Sequence, residues 1–398
     1  MTSFVLYGII VQEAKYTILF KTEEVFDVNM INKVFENLPQ RSIYYFIATY
    51  PSFSPVQSET ATAEEQKNAN RFIKNIYEKL FADPTLMGFK TIPDNSLDDW
   101  EQQKEKPGLV PKIRGTTAKI EDFIAVIFQI SLMGKPVDDN ITIDKSDIQI
   151  KPSLYKQFKN FNIKAITTDT QYSFTFPEKT VNGLALLAQI SNDNAKPPKD
   201  GKQKPYLLFS RGIFNVNAPF TQEVFGNMLE DRAAFDELIA FLEGNNYQRI
   251  DNKEFNHQIS LDYIKNYGDP NDELKWAWSE RARGGIEVVY DETRKNQPVF
   301  SLRIPYFQDL LKQSDRMNDQ VKSFIINTSK KCDGCRYCVQ TDKTGKRPLA
   351  YINVNEYKIC PYFCGFQYRW KSLDDKTVKN MIEMLTFIDE IFADRKTS

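Results

Sequence analysis

The cysteines are the residues in this chain whose type and spacing indicate chemistry. All five of them lie near the carboxyl end of the 398-residue sequence, spaced C-x2-C-x2-C-x21-C-x3-C. They are Cys332, Cys335, Cys338, Cys360 and Cys364. Cysteines this close in sequence converge on one point when a metal ion, an iron–sulfur cluster or disulfide bonds hold them. The segment therefore predicts a metal-binding module.

Disulfide bonds are the least favoured of these alternatives. The cysteine count is odd, and the short apolar run at the amino end has neither a basic region before it nor a small-residue cleavage site after it. No apolar run approaches the roughly 18 residues that a membrane-spanning helix needs. We therefore expect a cytoplasmic protein with reduced thiols and no membrane association.

Zinc is the metal that the sequence favours. Closing the loop between Cys338 and Cys360 costs about 3 kcal/mol of chain entropy. A structural zinc site contributes roughly 10–16 kcal/mol, which exceeds that cost. Tetrahedral zinc takes four ligands, so one of the five thiols is spare. Two ligand sets stay open: Cys332, Cys335, Cys338 and Cys360, or Cys335, Cys338, Cys360 and Cys364.

The first of these sets has a second interpretation. Three close cysteines followed later by Cys360 and Pro361 resemble the single-cluster bacterial ferredoxin motif, in which such cysteines hold a four-iron cluster. The resemblance covers four cysteines and one proline, without the surrounding ferredoxin repeat. It implies an iron–sulfur cluster as the alternative cofactor. Free or redox-active thiols are the third alternative, and either one would make the protein an oxidoreductase.

The residues around the cysteines predict a zinc-ribbon-like module over residues 324–372. Strands are expected at Phe324–Asn327 and Leu349–Val354, with a short return strand at Tyr357–Ile359. A Lys-Thr-Gly-Lys turn separates the two cysteine loops.

The same segment is basic and rich in aromatic residues. Between Lys330 and Lys371 there are nine Lys or Arg against three acidic residues. Cations interleaved with stacking rings are typical of single-stranded nucleic-acid binding. The alternative is that the rings form a small core around the metal while the lysines keep the ribbon soluble. The candidate nucleic-acid-binding residues are Arg336, Lys343, Lys346, Arg347 and Arg369.

Chemistry is not indicated elsewhere in the sequence. His257 is the only histidine, which excludes His-rich metal sites. Walker loops, G-x-G-x-x-G and H-E-x-x-H do not occur, and the carboxylates are scattered, so no catalytic residue is nominated. The sequence thus favours a binding or regulatory protein, with an unidentified protein or small-molecule partner, over an enzyme.

Length and composition indicate two folded α+β domains with mixed or antiparallel sheets. Hydrophobic residues make up 41% of the chain, enough for packed cores, and the net charge of −1 gives no overall attraction to nucleic acid. The segment Ser191–Pro205 is polar and proline-containing, which is typical of a linker. The predicted division is an N-terminal domain at 1–190, a linker at 191–205 and a C-terminal domain at 206–398.

Helices are predicted from hydrophobic periodicity and capping signals. Thr62 and Glu65 form a capping box for a helix that ends near Asp83, and Ser372 with Asp375 caps a C-terminal amphipathic helix that reaches Phe392. The other expected helices follow Asp27 as far as Leu38 and occupy Lys119–Met133 and Thr221–Glu243, with a loop at Gly88–Thr117.

Strands are predicted where short apolar or alternating runs occur. The expected single strands are Ser3–Val11, Tyr16–Lys21, Ile43–Tyr50, Ile141–Ile150 and Tyr206–Ser210. Two hairpins are also expected, one within Ile163–Phe176 and one that pairs Gly285–Asp291 with Val299–Ile304.

Overall fold

The chain contains helices and antiparallel sheets in two compact units. A computed structural model describes residues 35, 37–92, 109–195, 206–252, 258–268, 282–291, 298–329, 331, 351–359, 368–370 and 373–393. The first unit comprises Met1–Ile47 and Pro55–Ile190, and the second comprises Ala48–Ser54 and Ser191–Ser398. The second unit therefore includes a short piece of chain that precedes most of the first.

The described part of the first unit combines five α-helices and a short 3-10 helix at Pro84–Met87 with a four-stranded antiparallel sheet. The helices are α1 (Leu38–Ala48), α2 (Ala63–Ala82), α3 (Leu109–Met133), α4 (Pro152–Asn160) and α5 (Val181–Asp193). The strands are β1 (Lys135–Val137), β2 (Asn140–Asp144), β3 (Lys164–Thr167) and β4 (Gln171–Thr175), in the order β1-β2-β4-β3. Strands β3 and β4 confirm the predicted hairpin.

Helix α2 begins at the predicted capping box. Glu65 N donates to Thr62 Oγ1 at 3.3 Å, and Thr62 N donates to Glu65 Oε2 at 2.7 Å. The buried face of α2 packs against α1, where the rings of Phe46 and Tyr77 stack 4.8 Å apart. Helix α5 approaches the start of α2 so closely that a Cβ at Gly183 would strike the Glu65 carbonyl. Glycine is therefore required at this crossing.

The described part of the second unit places helices around a five-stranded antiparallel sheet. The helices are α6 (Tyr206–Phe209), α7 (Phe220–Asn227), α8 (Arg232–Gly244), α9 (Phe307–Leu311), α10 (Asp319–Thr328) and α11 (Asp375–Ala393). The sheet contains β5 (Gln248–Asn252), β6 (Gln258–Asn266), β7 (Arg283–Asp291), β8 (Val299–Arg303) and β11 (Tyr368–Trp370), in the order β11-β8-β7-β6-β5. A separate hairpin contains β9 (Ile352–Val354) and β10 (Tyr357–Ile359).

Helices cover one face of the five-stranded sheet. Phe300 of β8 packs edge-on against Phe235 of α8, with ring centroids 6.2 Å apart. Gly285 of β7 has φ +137° and lies so close to the Tyr263 carbonyl that a Cβ would overlap it. Residue alternation along β6 and β7 then divides their side chains between the helix-covered face and the opposite face.

The predicted hairpin of Gly285–Asp291 with Val299–Ile304 is confirmed by the pairing of β7 with β8. The C-terminal amphipathic helix is also confirmed as α11, but its cap differs. Thr377 N donates to Asp374 Oδ1 at 2.7 Å, so Asp374 takes the capping role expected of Ser372.

Three of the predicted strands are wrong. Ile43–Tyr50 falls largely in α1, Tyr206–Ser210 is mostly α6, and Phe324–Asn327 lies inside α10. A short apolar run is compatible with a buried strand or a buried helix, and periodicity alone does not separate them. In α1 the buried residues surround the helix instead of forming one stripe, which removes the helical signal.

Other boundaries also differ from the prediction. Helix α3 begins at Leu109, within the expected loop, and the expected helix Thr221–Glu243 is two helices, α7 and α8. Only Asn140–Asp144 of the alternating run near Ile141–Ile150 forms a strand. The strands expected at 3–11 and 16–21, and the start of the helix after Asp27, lie outside the described residues.

No helix in the described ranges combines the length and the apolar character needed to cross a lipid bilayer.

Candidate functional site: the supports of the cysteine segment and a charged row on the sheet

The predicted metal ligands lie outside the described residues. This applies to Cys332, Cys335, Cys338, Cys360 and Cys364, and also to Arg336, Lys343, Lys346 and Arg347. Among the predicted site residues, Arg369 has a described backbone position, in strand β11. Described residues lie before, between and after the two groups of cysteines, at 328–329, 331, 351–359 and 368–370.

A β-bridge joins the two approaches to the cysteines. Lys331, which immediately precedes Cys332, pairs with Ile359, which immediately precedes Cys360, in antiparallel orientation. Bridged residues have Cα atoms roughly 4.5–5.5 Å apart. The residues before Cys332 and Cys360 therefore lie at neighbouring points of the backbone, although Lys331 and Ile359 are 28 positions apart in sequence.

Helix α10 precedes Lys331 of this bridge, and the β9–β10 hairpin contains Ile359. Helix α10 ends at Thr328, where its hydroxyl donates to the Phe324 carbonyl at 2.5 Å. On the other side, β9 and β10 form an antiparallel hairpin in which Ile352 pairs with Ile359. This hairpin confirms the predicted return strand, whereas the predicted first ribbon strand is part of α10. The described elements alone therefore do not form a zinc ribbon.

Strand β11 returns the chain from the second cysteine loop to the large sheet. Its Trp370 pairs with Phe300 of β8, and Arg369 pairs with Ser301. The indole ring of Trp370 also stacks on the Phe324 ring of α10, with centroids 5.7 Å apart and an interplanar angle of 19°. The cysteine segment is consequently bordered by elements that belong to the second unit's fold.

A row of charged residues crosses the sheet from the position of Arg369. Ser301 pairs with Glu287 on β7, and Glu287 pairs with Asp262 on β6. Arg303 Nη2 donates to Glu287 Oε1 at 2.8 Å. Two carboxylates thus face each other on adjacent strands, with one arginine bound to the second of them. We call Asp262, Glu287 and Arg303 the charged row.

The charged row is incompletely hydrogen-bonded. Asp262 Oδ1 and Arg303 Nε are buried and have no hydrogen-bond partner within the described part of the chain. Burial raises the pKa of the Asp262 carboxyl to about 6, and the nearby Glu287 charge adds to this effect while Arg303 and Arg283 oppose it. The Asp262 carboxyl therefore titrates near neutral pH, where an exposed aspartate is fully ionised.

A second polar network lies on the helix-covered side of the same sheet. Asp389 Oδ1 accepts hydrogen bonds from Lys265 Nζ and from the Tyr267 hydroxyl, each at 2.7 Å. The Tyr247 and Tyr267 hydroxyls are 2.8 Å apart, and Lys265 also donates to the Asn245 carbonyl at 3.1 Å. We call Lys265, Tyr247, Tyr267 and Asp389 the anchor network.

The anchor network joins α11 to β6 and to the chain between α8 and β5. Lys265 Nζ lies 5.2 Å from the Tyr247 ring centroid and 5.7 Å from that of Tyr267. Burial raises the pKa of the Tyr267 hydroxyl, and the hydrogen bonds to Tyr247 and Asp389 add to the rise. Burial also raises the pKa of the Tyr247 hydroxyl, so both tyrosines stay protonated and can donate.

The sequence offers little signal for either network. Glu287 and Arg303 lie in the two strands of a hairpin that was predicted, but Asp262 lies in β6, which was not. The alternation in 258–266 is the signal from which β6 could have been found. Cross-strand register, which brings Asp262 beside Glu287, is not encoded in any local spacing.

The described residues contain no group of three or more His, Cys, Asp or Glu side chains arranged to hold a metal ion. All five cysteines lie outside that part of the chain, so the finding concerns the carboxylates. Within the described part of the chain, the charged row contributes two carboxylates and an arginine.

Comparison with known proteins identifies no matching family model, no similar curated protein and no similar solved structure. The candidate sites therefore depend on the sequence and on the geometry of the described residues.

Proposed function

We propose that this chain is a binding or regulatory protein whose cysteine segment holds a structural zinc ion. The observation that carries the proposal is the bridge between Lys331 and Ile359. It brings the residues before Cys332 and Cys360 to neighbouring backbone positions, which is what a shared metal centre requires of two cysteine loops. In the proposed role the metal fixes the local fold, and the basic and aromatic side chains of the segment face a partner.

The free energy of metal binding supports zinc as the ion that holds this segment together. The two loops have short apolar strands beside them, and a three-residue strand pair is marginal by itself. A thiolate zinc site supplies far more free energy than such a hairpin. The odd number of cysteines is consistent with reduced thiols and with the proposed cytoplasmic location.

Metal analysis of the purified full-length protein tests the proposal. We expect a colourless protein with one zinc per chain, measured by inductively coupled plasma mass spectrometry. A brown protein with iron and acid-labile sulfide would instead identify an iron–sulfur oxidoreductase and contradict the zinc assignment. A protein without metal and with five titratable thiols would contradict both.

Single substitutions then separate the two ligand sets. Cys332→Ser removes zinc if the three close cysteines and Cys360 are the ligands, and Cys364→Ser leaves zinc in place. The opposite result selects the set that contains Cys364. Cys335→Ser belongs to both sets and is the positive control, because it must reduce zinc content under either assignment.

A further inference from the structure

A groove with an aromatic wall and several polar side chains lies beside the helix that leads into the cysteine segment. It has a volume of about 570 Å³ and is formed by α10, the first turns of α11 and Trp370. Small-molecule sites commonly occupy roughly 300–1,000 Å³, so the groove accommodates a ligand of nucleotide size. None of its lining residues is a cysteine.

The aromatic wall is a pair of stacked rings. Trp370 is half-buried, Phe324 is buried beneath it, and the two rings are nearly parallel at 19°. The β11–β8 pairing holds the backbone of Trp370, and helix α10 holds Phe324. The indole is therefore a fixed aromatic surface, which lowers the entropy cost of stacking a ligand against it.

Amide and hydroxyl groups line the rest of the groove. Gln320 Nε2 donates to Asn380 Oδ1 at 3.2 Å, which orients both amides and leaves Gln320 Oε1 and Asn380 Nδ2 available. The exposed side chains of Ser323 and Asn327 make no hydrogen bond within the described part of the chain. The groove thus presents unused donors and acceptors beside an aromatic ring.

The rim of the groove carries charges of both signs. Asp375 lies 2.8 Å from Lys379, so its charge is compensated within the same helix. Lys376 is exposed and lines the groove, and its charge acts on the nearby Asp374 carboxyl without a direct ion pair in the described residues. Its ammonium group can therefore turn to contact an anionic group of a ligand.

We propose that this groove binds one unstacked nucleobase of a single-stranded nucleic acid. The base stacks on Trp370, its edge forms hydrogen bonds with the Asn and Gln amides, and Lys376 contacts a neighbouring phosphate. Asn and Gln side chains match base edges, and stacking on an aromatic ring is tolerant of sequence. A neutral saccharide is the competing ligand, and the phosphate contact distinguishes the two. The proposal goes beyond the zinc assignment and does not require it.

Fluorescence anisotropy with short fluorescein-labelled oligo(dA) and oligo(dT) tests the proposal on the full chain. Trp370→Ala should raise Kd at least about fivefold, since one stacked base contributes about 1 kcal/mol or more. Asn327→Leu and Lys376→Glu should raise Kd in the same direction, and both change exposed side chains that the fold does not need. Lys322→Glu, on the same helix but outside the groove lining, is the matched control and should leave Kd unchanged.

Three outcomes would overturn the proposal. They are absence of binding by the wild-type chain, equal Kd values for Asn327→Leu, Lys376→Glu and Lys322→Glu, or displacement of the labelled strand by a neutral oligosaccharide. Zinc content is measured on each variant in parallel. Loss of strand binding with zinc retained concerns the groove alone, whereas loss of zinc with strand binding retained concerns the metal proposal alone.

Discussion

Strand β6 contributes polar residues to both the anchor network and the charged row, and these two networks differ in how completely their side chains are hydrogen-bonded. On the helix-covered side, the anchor network gives Lys265 and Tyr267 an acceptor in Asp389, and Tyr247 completes the chain of hydroxyls. On the opposite side, the charged row leaves Asp262 Oδ1 and Arg303 Nε without hydrogen-bond partners among the residues that the structure describes. The two networks lie on one sheet and use the same kinds of side chain.

The difference indicates different roles. A buried polar network whose members are satisfied stabilises and orients the elements that it joins. An unsatisfied buried group costs stability, so its presence in a folded protein requires a reason, such as a change of protonation state. We interpret the anchor network as structural and the charged row as the part of the sheet that responds to pH.

The largest expected effect comes from removing the shared acceptor of the anchor network. Asp389→Ala leaves the Lys265 ammonium and the Tyr267 hydroxyl without their acceptor, and both lie close to buried aromatic rings. We expect a loss of about 3 kcal/mol in the free energy of unfolding, since breaking a largely buried ion pair leaves an uncompensated charge. Guanidinium unfolding followed by circular dichroism measures it.

Asp389→Asn is the matched control for that substitution. It keeps an oxygen acceptor for Tyr267 and removes only the charge, so its loss should be smaller. Equal stability of the wild type and Asp389→Ala would contradict the structural role of the anchor network.

A substitution in the charged row should act in the opposite direction. Asp262 has a folded-state pKa of about 6, above the ordinary value of 3.8. Between these values the folded state holds a proton that the unfolded chain has released, so the contribution of Asp262 to stability falls as the pH rises from about 4 to about 6. Asp262→Asn removes this penalty and should stabilise the protein by roughly 2 kcal/mol at pH 8.

The increase in the free energy of unfolding that Asp262→Asn causes should become smaller as the pH falls through 6, because the wild-type carboxyl becomes protonated and loses its charge. Unfolding curves of both proteins at several pH values check this dependence. A variant that is less stable than the wild type at pH 8 would show that attraction to Arg303 outweighs the burial cost, and would remove the distinction between the two networks.

The smallest effect is expected at the end of the anchor network. Tyr247→Phe removes one hydroxyl and keeps the ring, and Tyr267 still donates to Asp389. The loss should be about 1 kcal/mol, typical of a single neutral hydrogen bond. A loss as large as that of Asp389→Ala would show that the network depends on its full length and not on the charge pair.

Local signals in the sequence predicted the elements that depend on local physics. The capping box at Thr62 and Glu65 and the stripe of α11 are set by neighbouring residues, so both are readable from spacing. The strand predictions at 43–50 and 324–327 are wrong because tertiary burial, and not the local sequence, decides between helix and strand there.

The candidate sites also divide into features that sequence spacing predicts and features that depend on tertiary structure. The crowding of the cysteines is visible in the sequence, and the bridge of Lys331 with Ile359 adds a tertiary contact between the residues that precede Cys332 and Cys360. The charged row and the groove beside Trp370 depend on strand register and on the packing of α10 beside α11, which no spacing in the sequence encodes.

The seven residues Ala48–Ser54 have a practical consequence for dissecting this protein. They belong to the second unit, where the Thr49 hydroxyl accepts a hydrogen bond from Nε of the fully buried Arg211 at 2.9 Å and Phe53 packs against Phe214. A fragment that starts at Ser191 lacks these partners. Expressing the carboxyl-terminal half alone should therefore give a less soluble product, and supplying residues 48–54 as a fused or added peptide should rescue it.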